Sequence, residues 1–247
     1  MFRTTKSVIG DPVDATDGRC GRCSDLLFDD DSLTIRYVVV DTGGILTRHE
    51  VLVSPFLVGE LETGQISQHI RLKATKDQIE KSPPISTDAP VSRKAEEALA
   101  KHFGHPPYWT QGPSVVPATG ETKIASDLAE ARETHLRSAK EVTGYEVCSS
   151  EEAEPEPLGT ISDIVFQTNN WTLRYFVVNT GSWFNRKPVI VSPRWTKTIH
   201  WSNHTVVLDQ ITKEHLKGAP LFDPHSGINR DYEGRLFDYY GKPVYWE

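Results

Sequence analysis

The sequence predicts a mainly β, α+β chain built from two tandem copies of one module. Each copy holds about five or six short strands followed by short helical segments. Three observations carry this. The stretch FGHPPYW at Phe103–Trp109 returns as YGKPVYW at Tyr240–Trp246, a spacing of 137. The stretch GRCSDLLFDDDSLTIRYVVVDTG at Gly21–Gly43 returns as GTISDIVFQTNNWTLRYFVVNTG at Gly159–Gly181, a spacing of 138. Carried on to Pro55 and Pro193, about 16 of 35 aligned positions are identical, far beyond chance. Within a copy, the apolar rhythm is that of short strands punctuated by turn residues.

The elements follow in order. FRTTKSVIGDPV from Phe2 meets LRSAKEVTGYEV from Leu136, and the four extra residues of the second copy fall in the acidic, Pro-rich SSEEAEPEP at Ser149–Pro157, where an exposed loop tolerates insertion. LTIRYVVVDTG, ending at Gly43, has the β-branched and aromatic content of a mostly buried strand. HEVLVSP, ending at Pro55, alternates and stops at a residue that cannot donate to a ladder. GQISQHIRL, ending at Leu72, alternates again. Asp29, Asp30, Asp31 and Ser32 form a hairpin turn whose place QTNN holds in the second copy. Thr75 with Gln78 predicts a capping box opening a helix that ends by Pro83. Arg93–Gly104 is rich in helix formers and closes on a glycine. Such closely spaced short strands imply a barrel or a sandwich. The expected division is 1–109, a linker over 110–135 with a helix from Ser126, and 136–247.

Charge and composition narrow the classes. The 247 residues carry a formal charge of −7, which argues against a general nucleic-acid surface. No run approaches the roughly 18 apolar residues of a membrane span, and mean hydropathy is −0.44. Three cysteines and a start without an apolar leader segment lead to the expectation of a cytoplasmic protein without a disulfide framework.

Gly10, Gly21-x-x-Ser24-Asp25-Leu26-Leu27-Phe28-Asp29, Ile35–Gly43 and Val51–Pro55 together resemble the PRC-barrel family. The pattern recurs at Gly144, Gly159–Phe166, Leu173–Gly181 and Val189–Pro193. The family is named for the cytoplasmic domain of the photosynthetic reaction centre H subunit, and it resembles the C-terminal domain of the bacterial ribosome maturation factor. The resemblance implies two tandem, small, strongly bent β-barrels. It also implies adaptors or stabilisers of assemblies, with no shared catalytic motif. The H subunit has a membrane helix and one such domain, whereas this sequence has two copies and no apolar span.

Several residues invite chemistry. Cys20 and Cys23 have the spacing of a redox or metal half-site, but Leu158 and Ile161 replace them in the second copy, so they are expected as strand residues packing a small apolar thiol. Cys148 has no evident partner. His200 and His204 are four apart in a strand-and-turn context, where that spacing has no reason to converge on a metal. The Asp29–Asp31 run lacks the alternating ligands of a calcium loop and is expected to be a solvated turn. Arg36 and Arg174 stand mid-strand in both copies, as an exposed face or a paired charge. Tyr108, Trp109, Tyr245 and Trp246, with Phe103, Tyr239 and Tyr240 nearby, either fold back over a barrel or anchor a partner.

The sequence therefore leads to a non-enzymatic protein-binding or scaffolding protein, without cofactor or metal, acting on protein partners and able to self-associate as a homodimer. Two alternatives stay open: a subunit of photosynthetic or electron-transfer machinery, and a cofactor or enzyme site between the copies.

Overall fold

The computed structural model of the chain describes residues 1–43, 49–59, 61, 69–84, 91–110, 135–150, 156–181, 188–223 and 227–246. The helix expected from Ser126, the body of the 110–135 linker, the start of the GQISQHIRL run and the centre of the acidic insertion lie outside the described residues. The chain is mainly β, a curled half-barrel arrangement of sheet with few helices. It divides into two compact units, Ser7–Ser138, and Met1–Lys6 with Ala139–Glu247. The first strand, β1 (Phe2–Thr4), thus belongs to the second of these.

In Ser7–Ser138, β2 (Pro12–Ala15) pairs antiparallel with β3 (Gly18–Asp29), which pairs with β4 (Thr34–Asp41), and β4 pairs with β5 (Glu50–Val53). A short strand, β6 (Ile70–Arg71), lies parallel to β2. Two helices follow, α1 (Lys76–Glu80) and α2 (Arg93–Phe103). The last strand, β7 (Leu136–Ser138), pairs with the far end of β3 on the edge opposite β4, the edge that β2 also uses. β4 owes its place to its composition: Ile35, Tyr37 and Val38–Val40 are all buried. Burying a large apolar side chain of this kind contributes on the order of 1.5–3 kcal/mol. The capping box at Thr75 and Gln78 forms as the spacing predicts, and α2 stops at Gly104 in a left-handed C-cap.

The other unit repeats the plan. After α3 (Ala139–Val142) come β8 (Glu146–Ser149), β9 (Pro157–Gln167), β10 (Thr172–Asn179) and β11 (Pro188–Val191), paired in that order. Next are β12 (Thr196–His200) and β13 (Thr205–Leu208), the latter parallel to β8 as β6 is to β2. α4 (Lys213–Gly218) and α5 (Arg230–Tyr240) close it. The two units share register residue for residue: Leu27 faces Tyr37 where Val165 faces Tyr175, and Cys23 faces Val40 where Ile161 faces Val178. Both β3–β4 and β9–β10 interrupt their register at the same two places.

The edge strands complete the pattern in an unexpected way. β1 pairs with β9 through Phe2–Gln167, Arg3–Phe166 and Thr4–Val165. β7 pairs with β3 through Leu136–Asp29, Arg137–Phe28 and Ser138–Leu27. The two registers are equivalent, yet each opening strand sits on the strand of the other copy. A serine or threonine fixes each end: Thr5 donates to Asp163 at 2.9 Å, and Ser138 donates to Asp25 at 2.5 Å.

Candidate functional site

The polar chemistry of each unit gathers where the strand that follows the hairpin meets the last helix and the aromatic tail. On β10 the alternation of a strand sends Tyr175 into the interior and Arg174 to the opposite face. On α5, Arg230 and Glu233 are three residues apart and share one helix face. Glu233 is 1% exposed, so its carboxylate needs partners. It has three: the hydroxyls of Tyr175 and Tyr245 donate to Oε1 at 2.6 and 2.7 Å, and Arg230 donates to Oε2 at 3.1 Å. Burial first, and then the bond to Glu233, push both phenols above their ordinary range. Arg174 lies over the Tyr245 ring at 3.9 Å, and Arg230 over the Trp246 ring at 4.0 Å. The tail is thereby clamped between two guanidinium groups.

The first copy builds the same clamp. Tyr37 donates to the fully buried Glu96 at 3.0 Å, Arg36 covers the Tyr108 ring at 3.9 Å, and Arg93 covers Trp109 at 4.4 Å. Arg93 also donates to the Tyr108 hydroxyl at 2.9 Å. One component differs. The buried His135 places Nε2 2.9 Å from the Tyr108 hydroxyl and 3.1 Å from Glu96 Oε1, so an imidazole stands beside tail and carboxylate where Tyr245 reaches Glu233 directly.

The sequence-selected tails, Tyr108 with Trp109 and Tyr245 with Trp246, thus fold onto their own units and remain half-exposed. Tyr108 and Phe103 pack against the cluster of Leu27, Tyr37, Val39, Leu52, Val91 and Leu99. Phe237, Tyr245 and Trp246 form a ring cluster with centroids 4.9–5.9 Å apart. Tyr239 is exposed, its hydroxyl donating to the His215 carbonyl, and burial raises the Tyr240 phenol. Sequence reasoning singled out neither Glu96 nor Glu233 and gave Arg36 and Arg174 no role. The available signal was that Arg36, Tyr37, Arg93, Glu96 and Tyr108 are all identical to their counterparts.

The remaining candidates are placed as follows. Cys20 and Cys23 both lie on β3, and burial raises the Cys20 thiol, the reverse of what an activated cysteine needs. Cys148 is buried on β8, and burial raises its thiol too. His200 ends β12, whereas His204 stacks on Tyr145 at 4.8 Å. The acidic turn differs from the solvated one expected: only Asp31 is exposed. Asp29 is buried and accepts from the Ser32 amide at 2.7 Å, while Asp30 pairs with Arg137 of β7 at 2.8 Å. Packing of β7 against β3 covers that end of the hairpin.

Two clefts border these elements. One, of about 660 Å³, lies in Ser7–Ser138 and mixes Arg19, Arg22 and Lys76 with Asp41 and Glu80. The other, of about 340 Å³, lies beside the second clamp, with Arg174, Arg194, Lys242 and Trp195 in its lining. Among the described residues, no helix is long and apolar enough to cross a membrane. No curated protein matches the chain. Residues 135–215, from the residue before β7 through β13 and into α4, match the family model of the PRC-barrel domain.

Proposed function

We propose that this chain is a non-enzymatic protein-binding or scaffolding protein made of two tandem PRC-barrel-like copies, the first a diverged version of the second. The observation that carries the reading is the use made of the polar residues. In both copies the buried glutamate, the tyrosines and the arginines that a catalytic site would leave poised are bound to one another, holding an aromatic tail. What these locks leave at the surface is a rim of half-exposed Tyr and Trp side chains, the residue types that anchor protein partners. The PRC-barrel match over 135–215 agrees with an interaction module. Two similar faces in one chain also favour self-association into a homodimer.

Affinity capture with the tagged full-length chain tests this. The expected result is a protein partner, or a second copy, retained in stoichiometric amount and lost when Trp109 and Trp246 are both replaced by Ala. Turnover in a substrate screen, with no protein retained, would overturn it.

A further inference from the structure

The cleft beside the second clamp concentrates positive charge in a chain whose formal charge is −7. Arg174 spends its Nε on Gln167 at 2.9 Å and its face on Tyr245. Among the described residues no carboxylate pairs with Arg174, and none pairs with Arg194, whose side chain is exposed at the start of the turn leading into β12. Lys242 reaches the cleft from the tail, with Asp209 4.0 Å away as its acidic neighbour. Burial works against the charge on Arg174, and so does the nearby Arg194, while Tyr245, Tyr175 and Glu233 favour it. Three cations face one carboxylate, over a floor that includes Trp195, Phe237 and Tyr245.

The first copy provides an internal comparison. It keeps the clamp but places Phe56 where the second has Arg194, and His105 where the second has Lys242. Those two rings lie 5.5 Å apart and occupy each other. The cationic cleft is therefore separable from the clamp itself.

We propose that this cleft receives the carboxylate of an acidic peptide segment of a partner protein, seated between Arg174 and Arg194 with its methylenes over the aromatic floor. The inference rests on the protein-binding reading above and names the chemistry of the partner. Guanidinium groups match a carboxylate with paired N–H donors. Asp209 at the rim opposes a doubly charged phosphate more than a single carboxylate, and the volume of about 340 Å³ suits a side chain rather than a large cofactor.

The test titrates the full-length chain with acetyl-Glu-Leu-Glu-amide, acetyl-Gln-Leu-Gln-amide and inorganic phosphate at matched ionic strength. The readout is the indole N–H resonance of Trp195, assigned with Trp195→Phe. The Glu peptide should shift it saturably and the Gln peptide should not. Arg194→Ala, an exposed change, should weaken binding by about tenfold. An equal response to the Gln peptide, a stronger one to phosphate, or unchanged affinity in Arg194→Ala overturns the assignment. Affinity capture separates the two ideas. Partners retained equally by Arg194→Ala sink the cleft and spare the scaffold, whereas peptide binding without any captured protein does the reverse.

Discussion

At the scale of single residues, the most consequential groups are two glutamates that charge alone would place in water. Glu96 and Glu233 are almost wholly buried, and a buried carboxylate persists only where donors surround it. Their tyrosine partners give the chain a specific alkaline behaviour. The Tyr175 phenol is raised above its ordinary value by burial and by Glu233, so in the folded chain it keeps its proton above about pH 10, where an unfolded tyrosine ionises. The unfolded state then binds fewer protons than the folded one, and stability must fall as pH rises. Below about pH 10 the contribution is fully present. Tyr175→Phe should cost about 1.5–3 kcal/mol at neutral pH, the range for a hydrogen bond to a charged group. It should also shallow the decline above pH 10. Urea unfolding of both proteins across that range measures this, and parallel alkaline slopes would show that Tyr175 does not retain its proton.

At the scale of elements, the repeat makes some features legible and hides others. The hairpin could be read because a turn-forming cluster separates two apolar runs at the same place in both copies, and the Thr75 capping box because its spacing has a local mechanism. The clamp could not, because a glutamate in a helix as charged as Arg93–Phe103 looks solvated until a tyrosine 59 residues away is seen to meet it. The hairpin turns hide another feature: Leu33 and Trp171 both take left-handed backbone at φ 54 and 58, which no propensity assigns to such side chains. Gly21 and Gly159 lie between these cases. Their identity in the two copies was visible, but not its cause. A Cβ at either would stand 2.3 Å from a backbone carbonyl, of Asp41 and Asn179 respectively, and Gly159 also has φ 151. Gly21→Ala and Gly159→Ala should each destabilise by about 1–3 kcal/mol, because a backbone atom must move to make room. Denaturant midpoints check it, and a neutral effect at Gly21 would mean that β3 and β4 separate freely at that point.

At the scale of the whole molecule, the exchange of opening strands decides how the two copies depend on one chain. Similarity between copies says that Phe2–Thr4 corresponds to Leu136–Ser138, but it says nothing about which strand each one joins, since equivalent registers are available at β3 and β9. That ambiguity is physical: both edges offer the same row of donors and acceptors. The chain resolves it one way, with Met1–Lys6 completing the unit formed by Ala139–Glu247. Removing Met1–Lys6 should therefore injure the far half of the sequence and spare the near one. Thr168, whose amide donates to the Met1 carbonyl at 2.9 Å, loses its acceptor, and Ile164 loses the Thr5 amide from its carbonyl. Hydrogen exchange along Ile164–Thr168 should accelerate, while Leu27–Asp29, covered by β7, keeps its protection. A synthetic peptide of residues 1–6 should restore the lost protection by adding back as a strand. Faster exchange at Leu27–Asp29 instead would mean that β1 closes its own copy and that the two copies fold without trading strands.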